Sequence, residues 1–298
     1  MSERSGDLID GDLVLRPATG GIDGLVFDVL LGEEPVGQVG VRRTAGDVGL
    51  LDWQLDDDVS PGAGGRAARL LLAHGFGLSG LHRIEAHVDP SDVPTLRLLS
   101  RAGLRREGVL RGHGGTGPRR SDRVLMARLV DDPAADTRDG FIAMLNAGLP
   151  RKRVISQAVV RDPSGRVLLC ELTYKSEWDL PGGVVEPLES PATGLSRELS
   201  EELGIDLAVG ELLTVNWLPA WRGWDDACLL VFDGGTLPVD AIDSMTLQPA
   251  EIRAVHWCTP DDVQAHATAA TIRLLEALAD PDRRGGYLED GSPGPNSQ

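Results

Sequence analysis

Short apolar stretches interrupted by Gly, Asp and Glu open the chain. Leu13 to Pro17, Leu25 to Leu31, Val36 to Arg42 and Val48 to Leu55 are β-type runs, and together they predict an antiparallel meander. After Pro61 the pattern changes. Arg69, Leu70, Leu71, Leu72, Phe76 and Leu78 predict a helix, His82 to Val88 a strand, and Val93 to Ala102 a second helix. Val109 to Arg111 and Arg123 to Leu129 read as a closing pair of strands. Residues 130–138, VDDPAADTR, are polar and contain Pro, so they read as a linker. A helix around Phe141 to Leu149 is expected to begin a second domain. Strands follow at Val154 to Arg161 and Val167 to Glu171, joined through Ser164-Gly165, a hairpin signal. A Gly-rich turn and a helix come next, then strands at Val209 to Val215, Cys228 to Phe232 and Ile252 to Trp257, and a helix from Ala267 to Ala279.

The chain has 298 residues, enough for two hydrophobic cores. The expected organisation is one domain over 1–129, the linker 130–138, a second domain over 139–281, and a tail over 282–298. That tail, GGYLEDGSPGPNSQ and the residues before it, is too poor in apolar side chains to offset its ordering entropy and is expected to be disordered. Formal net charge is −17, yet residues 1–130 hold 18 acidic and 16 basic side chains, so the excess acid lies beyond them. This charge opposes binding of a nucleic-acid polymer. No apolar run approaches the roughly 20 residues of a membrane helix, and the first residues, MSERSGDLIDGD, carry no secretory pattern, so a cytoplasmic location is expected. Cys170, Cys228 and Cys258 are odd in number and far apart, which fits reduced core residues better than disulfides or a zinc site. His74, His82, His87 and His113 show no metal-ligand spacing.

Candidate chemistry concentrates between Trp178 and Ile205. Ser190 followed by Pro191 predicts a helix start, and Gly204 a stop. Between them Leu195, Leu199 and Leu203 fall along one side, while Glu198, Glu201 and Glu202 fall on another at i, i+3 and i+4. Carboxylates on adjacent turns repel each other, and a divalent cation such as Mg2+ would offset that repulsion through oxygen ligands. Arg197 stands four residues before Glu201 and within reach of Glu189. Gly182-Gly183 allows a tight turn and a close backbone approach.

This segment resembles the Nudix box. Gly183, Glu189, Arg197, Glu198, Leu199, Glu201, Glu202, Gly204 and Ile205 all fall at that family's spacing. The resemblance covers about residues 138 to 280 and implies an αβα sandwich around a mixed sheet. It further implies hydrolysis of a phosphoanhydride in a nucleoside diphosphate-linked, small-molecule substrate, with Mg2+ or Mn2+ as cation. Carried over by position, Glu198, Glu201 and Glu202 are metal ligands, with the carbonyl of Gly182 a further candidate. Arg197 and Glu189 are orienting residues. Glu201 is the first candidate for general base, with Asp225, Asp226 or Glu251 as alternatives outside the box. Trp178, Trp217, Trp221 and Trp224 are candidates for stacking on a base or sugar, with core or loop packing the alternative.

The N-terminal half is similar to GNAT acetyltransferases over Val59 to Phe76, Gly80 to Pro90 and Leu98 to Arg111. Gly62, Gly64 and Gly65 then correspond to a pyrophosphate cradle for coenzyme A or acetyl-CoA. The half departs from that family at Val59, where Arg or Gln is usual, and at Asp92, where Asn is common. Only Ala18 to Gly24 separates the first strand from the second, where the family places two helices, so a shortened domain is expected. The fold class expected overall is α/β, or α+β: a GNAT-like mixed sheet with helices, then the Nudix sandwich. Two other functional readings stand beside hydrolysis: a bifunctional protein with an active acetyl-CoA-dependent N-acetyltransferase domain, and a nucleotide-sensing Nudix protein without catalysis.

Overall fold

The computed structural model describes residues 6–18, 24–56, 58–117, 119–280 and 286–294. They divide into two units, one ending at Pro150 and the other beginning at Arg151.

In the first unit the strands are β1 (Leu8–Asp10), β2 (Leu13–Pro17), β3 (Gly24–Leu31), β4 (Glu34–Ala45), β5 (Val48–Leu55), β6 (Arg83–Val88), β7 (Arg105–Gly114) and β8 (Ser121–Leu129). The helices are α1 (Pro61–Ser79), α2 (Val93–Arg101) and α3 (Arg138–Gly148). The sheet order is β1-β2-β3-β4-β5-β6-β8-β7. The meander forms as expected, because Leu13, Leu15, Phe27, Val29, Val39 and Val41 alternate onto one face and are buried. They pack with Ala67, Ala68, Leu71 and Leu72 of α1. Parallel pairing of β5 with β6 extends over Val48 to Leu50 and Arg83 to Glu85 only, after which the two strands part. The short β2–β3 connection forecast a direct turn in place of two helices; β2 and β3 pair antiparallel, and residues 19–23 lie outside the described set.

Two corrections concern the boundary and one glycine. The helix expected to begin the second domain belongs to the first, because α3 packs on α2 and β7. The polar stretch before it is a turn rather than a linker: Asp132 accepts from the Leu129 amide at 2.9 Å and pairs with Arg105 at 2.9 Å. Gly64, expected in a phosphate cradle, is buried, and a side chain there would run into Leu98 and approach Leu55 and Trp53 at 3.5 Å. It lets α1 pack closely on α2. Gly62 is open, and Gly65 is buried in the second turn of α1.

The second unit contains β9 (Arg153–Arg161), β10 (Val167–Leu172), β11 (Gly182–Val184), α4 (Pro191–Leu203), β12 (Leu212–Leu218), β13 (Ala227–Thr236), β14 (Ile252–Cys258), α5 (Pro260–His266), α6 (Ala269–Ala279), β15 (Tyr287–Glu289) and β16 (Ser292–Pro293). The mixed sheet runs β14-β10-β9-β13-β12-β15-β16, with β11 against β9. One face carries Leu195, Leu199 and Leu203 of α4. The other carries Val263 of α5 and Leu274, Ala277 and Leu278 of α6. This is the expected αβα sandwich.

Local differences have local causes. Ile205, Leu207 and Val209 alternate like a strand but pack over the sheet without joining its ladder, so β12 starts later than the pattern predicts. Thr268 caps the expected helix, which forms as α6, and Thr259 with Asp262 forms a reciprocal cap that starts a further helix, α5, ahead of it. The disorder expected beyond residue 281 does not hold for residues 286–294. There β15 pairs parallel with β12, Leu288 is buried in the core, and the Gly291 amide donates to Asn216 Oδ1 at 2.9 Å. One buried leucine and a set of side-chain anchors, including Arg273 to Asp290, outweigh the polar composition.

The turn before α3 makes a stability test. A Cβ at Gly140 would collide with the Ala134 carbonyl, a backbone atom that cannot rotate away. Gly140→Ala is therefore expected to destabilise the first unit by about 1–3 kcal/mol, measured by urea unfolding, with the second unit's transition unmoved.

Candidate active site

The acidic helix is built as its sequence foretold. Ser190 accepts from the Thr193 amide at 3.2 Å, Pro191 takes the first helical position, and Gly204 closes the helix with φ 67°. Burial of Leu195, Leu199 and Leu203 fixes the helix's rotation on the sheet. Rotation in turn decides which carboxylates face inward. Glu202 is 8% exposed and Glu198 is largely covered, while the Glu201 side chain is 60% exposed.

Arg197 ties the site together. Its Nη2 donates to Glu189 Oε1 at 2.8 Å and to the Val184 carbonyl at 3.2 Å, and its Nε to Glu189 Oε2 at 3.3 Å. Its Nη1 donates to Glu198 Oε1 and Glu201 Oε2, each at 3.0 Å. Glu189 also accepts from the Glu186 amide at 2.7 Å, and these contacts, Arg197 foremost, lower its pKa. Leu188, just before it, turns the loop with φ 74°. Arg197 and Glu189, the two residues expected to orient the others, are held to each other.

The two glycines act through missing atoms. Gly182 has φ 130°, and a side chain there would strike the Ser156 carbonyl across the β9–β11 pair. At Gly183 a Cβ would fall 2.5–2.8 Å from the Glu198 carboxyl atoms. The Glu198 carboxylate therefore occupies the space of an absent methyl.

Charge around Glu202 is not balanced. Burial, the neighbouring carboxylates of Glu198 and Glu251, and a hydrogen bond with Glu251 push its pKa up to about 8. Glu198 is raised as well, first by burial. Glu251 enters from the segment before β14, its side chain accepting from Gln248 Nε2 at 3.2 Å. It was one of three acids named outside the helix, and it is the one that joins the cluster. Asp226 instead pairs with Lys152 and accepts from Trp217 Nε1 at 3.2 Å, and the Asp225 carbonyl accepts from Arg153 at 2.7 Å.

The donor set suits a hard divalent cation: oxygen ligands only, and more negative charge than one guanidinium can offset. Among the described residues no three such groups stand ready as a cation cage, because Arg197 Nη1 holds Glu198 and Glu201.

From this cluster a strip of side chains crosses the sheet. Gly183 pairs with Ser156, Ser156 with Leu230, Leu230 with Val215 and Val215 with Tyr287, so these positions share the α4 face. One step along the strands lie Val154, Cys228, Trp217 and Glu289. Apart from buried Ser156, the residues of β9, β13 and β12 in these rows are half-buried, and Tyr287 is 46% exposed. Ser156 Oγ has no hydrogen-bond partner among the described residues. The tryptophans thereby separate. Trp217 lies on the strip. Trp178 packs on the opposite face, between His256 and His266, each ring 4.0 Å away and nearly parallel, which leaves no face for a base. Trp221 and Trp224 are exposed on the β12–β13 connection, where Arg222 covers one ring and Arg153 the other. The strip was hidden from the sequence because it depends on strand register, and β15 was not expected at all.

Comparison with known proteins agrees with this geometry. The NUDIX domain family model matches residues 151–278. A MutT-like protein of Streptomyces ambofaciens is 38% identical over 125 residues, covering 42% of this chain and 75% of that one. The CTP pyrophosphohydrolase of Escherichia coli (strain K12) is 35% identical over 139 residues, covering 42% of this chain and 89% of that one. GNAT acetyltransferases resemble the N-terminal region; Mycobacterium smegmatis RimJ in complex with CoA-disulfide is 25% identical, with a TM-score of 0.35, covering 42% of this chain and 61% of that one. Through its second unit, the chain belongs to the NUDIX family.

Proposed function

We propose that the second unit hydrolyses a phosphoanhydride bond of a nucleoside diphosphate-linked substrate, with Mg2+ or Mn2+ as the cation. The observation that carries this reading is the buried Glu202 carboxyl, crowded by the carboxylates of Glu198 and Glu251 on a helix face held by Arg197. Glu198 and Glu202 would hold the cation, with Glu201 and the Gly182 carbonyl as further ligands. A bound cation neutralises phosphate charge and lowers the pKa of a coordinated water. Arg197 keeps Glu189 and Glu198 in place through its hydrogen bonds. We assign the proton-accepting role to Glu251 in preference to Glu201, because Glu251 lies within the cluster while Glu201 turns outward onto Arg197. The half-buried strip ending at Trp217 would carry the base. The name of the Escherichia coli relative supports a nucleotide substrate of this class.

In a hydrolysis screen over nucleoside triphosphates, dinucleotides and nucleotide sugars with Mg2+ or Mn2+, Glu202→Gln is expected to reduce kcat at least about 100-fold. Absence of turnover on the whole panel would end this reading.

Stability without metal should report the same carboxyl. The folded chain keeps a proton on Glu202 that the unfolded chain gives up above the ordinary carboxylate range, so the folded state binds more protons between about pH 5 and 8 and loses stability as pH rises through that window. Glu202→Gln is expected to flatten the fall, raising the metal-free Tm at pH 8 by a few degrees. Equal slopes for the two proteins would contradict the assignment.

A second reading concerns the first unit. The parting of β5 from β6, beside the start of α1 and open Gly62, favours a coenzyme A-like ligand there. Calorimetric titration of the full chain with acetyl-CoA is expected to show binding, and none at millimolar ligand would exclude it.

A further inference from the structure

The segment 286–294 does more than extend the sheet. Side chains alternate along β15: Leu288 enters the core against α6, while Tyr287 and Glu289 emerge on the face that carries the Nudix helix. In register, Tyr287 adjoins Val215 and Glu289 adjoins Trp217. Cys228 adjoins Trp217 across the β12–β13 pair, so it stands on the same face as Glu289. The strip thus acquires an outer wall. Its floor is Val154, Cys228 and Trp217. The salt bridge of Lys152 with Asp226, which also accepts from Trp217 Nε1, borders the floor on the β9–β13 side.

Distance and chemistry both point to a base at this wall. From β9, where Ser156 adjoins Gly183 and Glu198, to β15 is three strand spacings, about 14 Å. A diphosphate held at the helix would need an attached nucleoside to reach that far. Tyr287 donates its hydroxyl to Glu289 Oε1 at 3.1 Å, which leaves Glu289 Oε2 without a donor among the described residues. A carboxylate offers only acceptors. It accepts from an exocyclic amine, which cytosine, adenine and guanine present, whereas uracil and thymine offer only a ring N3–H flanked by two carbonyl oxygens that a carboxylate repels.

We infer that Glu289, positioned by Tyr287 on the parallel strand β15, is a specificity-determining residue that selects amine-bearing nucleobases over uracil and thymine at the far end of the cleft. This rests on the nucleotide-hydrolase reading of the same site. The wall is supplied by a strand outside the 151–278 span that the family match covers.

The test compares CTP and GTP with UTP and dTTP, using the full chain with Mg2+ or Mn2+, its Glu289→Gln variant and its Tyr287→Phe variant. The wild type is expected to favour the amine-bearing bases in kcat/KM by about tenfold or more. Glu289→Gln, whose amide can donate to a carbonyl, is expected to bring that ratio within about threefold of unity, mainly through KM. Tyr287→Phe, which frees the carboxylate without removing it, is expected to weaken the preference less. A purely structural role would lower all four substrates in parallel, and an unchanged ratio in Glu289→Gln would overturn the inference. Turnover of all four at similar rates by the wild type would do the same while leaving the hydrolase reading intact. If none of these four triphosphates is cleaved, the wider panel of dinucleotides and nucleotide sugars decides the hydrolase reading, and calorimetric binding of CMP and UMP to the same proteins decides the inference: a CMP preference lost in Glu289→Gln supports it, and equal binding rejects it.

Discussion

Everything in the second unit is arranged around one guanidinium. Arg197 is the only cation that reaches Glu189, Glu198 and Glu201 together among the described residues, and it also ties the helix to the Val184 carbonyl of β11. Its pKa is driven upward by those carboxylates, so it stays charged under all ordinary conditions. Without it the loop from Glu186 to Ser190 would lose its anchor. The Glu198 carboxylate would also lose the partner that keeps it in the recess above Gly183. The same residue is a placeholder for part of the charge a cation would bring. A site held together this way can be stable before it is loaded.

Packing does the coarser work. Three leucines on α4 set its roll, and that roll makes Glu202 a buried acid and Glu201 an exposed one although they are adjacent in sequence. Strand pairing does the lateral work, carrying the site from Gly183 across β9, β13 and β12. Neither contribution requires unusual residues. What is unusual is the local crowding of negative charge around Glu202, which an apolar surrounding makes expensive.

Much of this could be read from residue types and spacing. Ser190, Pro191 and Gly204 announce the helix in local chemistry, and Glu189, Arg197 and the glutamates announce its use, because their spacing is fixed by a single turn geometry. The αβα layering followed from the same segment. What escaped was set by contacts between distant residues. Trp178 looked like a stacking platform until His256 and His266, from β14 and the end of α5, were brought to both its faces. Helix α3 was assigned to the wrong unit because its partners, α2 and β7, cannot be inferred from its own pattern. Polar composition hid the order of residues 286–294, since a few anchored contacts on β12 decide that segment's fate rather than its average hydropathy. Glu251 was visible as an acid but indistinguishable from Asp225 and Asp226 until the chain folded.

The alternation along β15 separates two tasks within three residues. Leu288 is answerable to the core, and a change there trades against folding. Tyr287 and Glu289 stand on the α4 face, partly exposed and outside that core. A lineage can therefore revise one side of this strand without disturbing the other, or the helix that does the chemistry. If Glu289 selects the base, substrate choice is a detachable trait, carried on the edge of the sheet rather than in its engine.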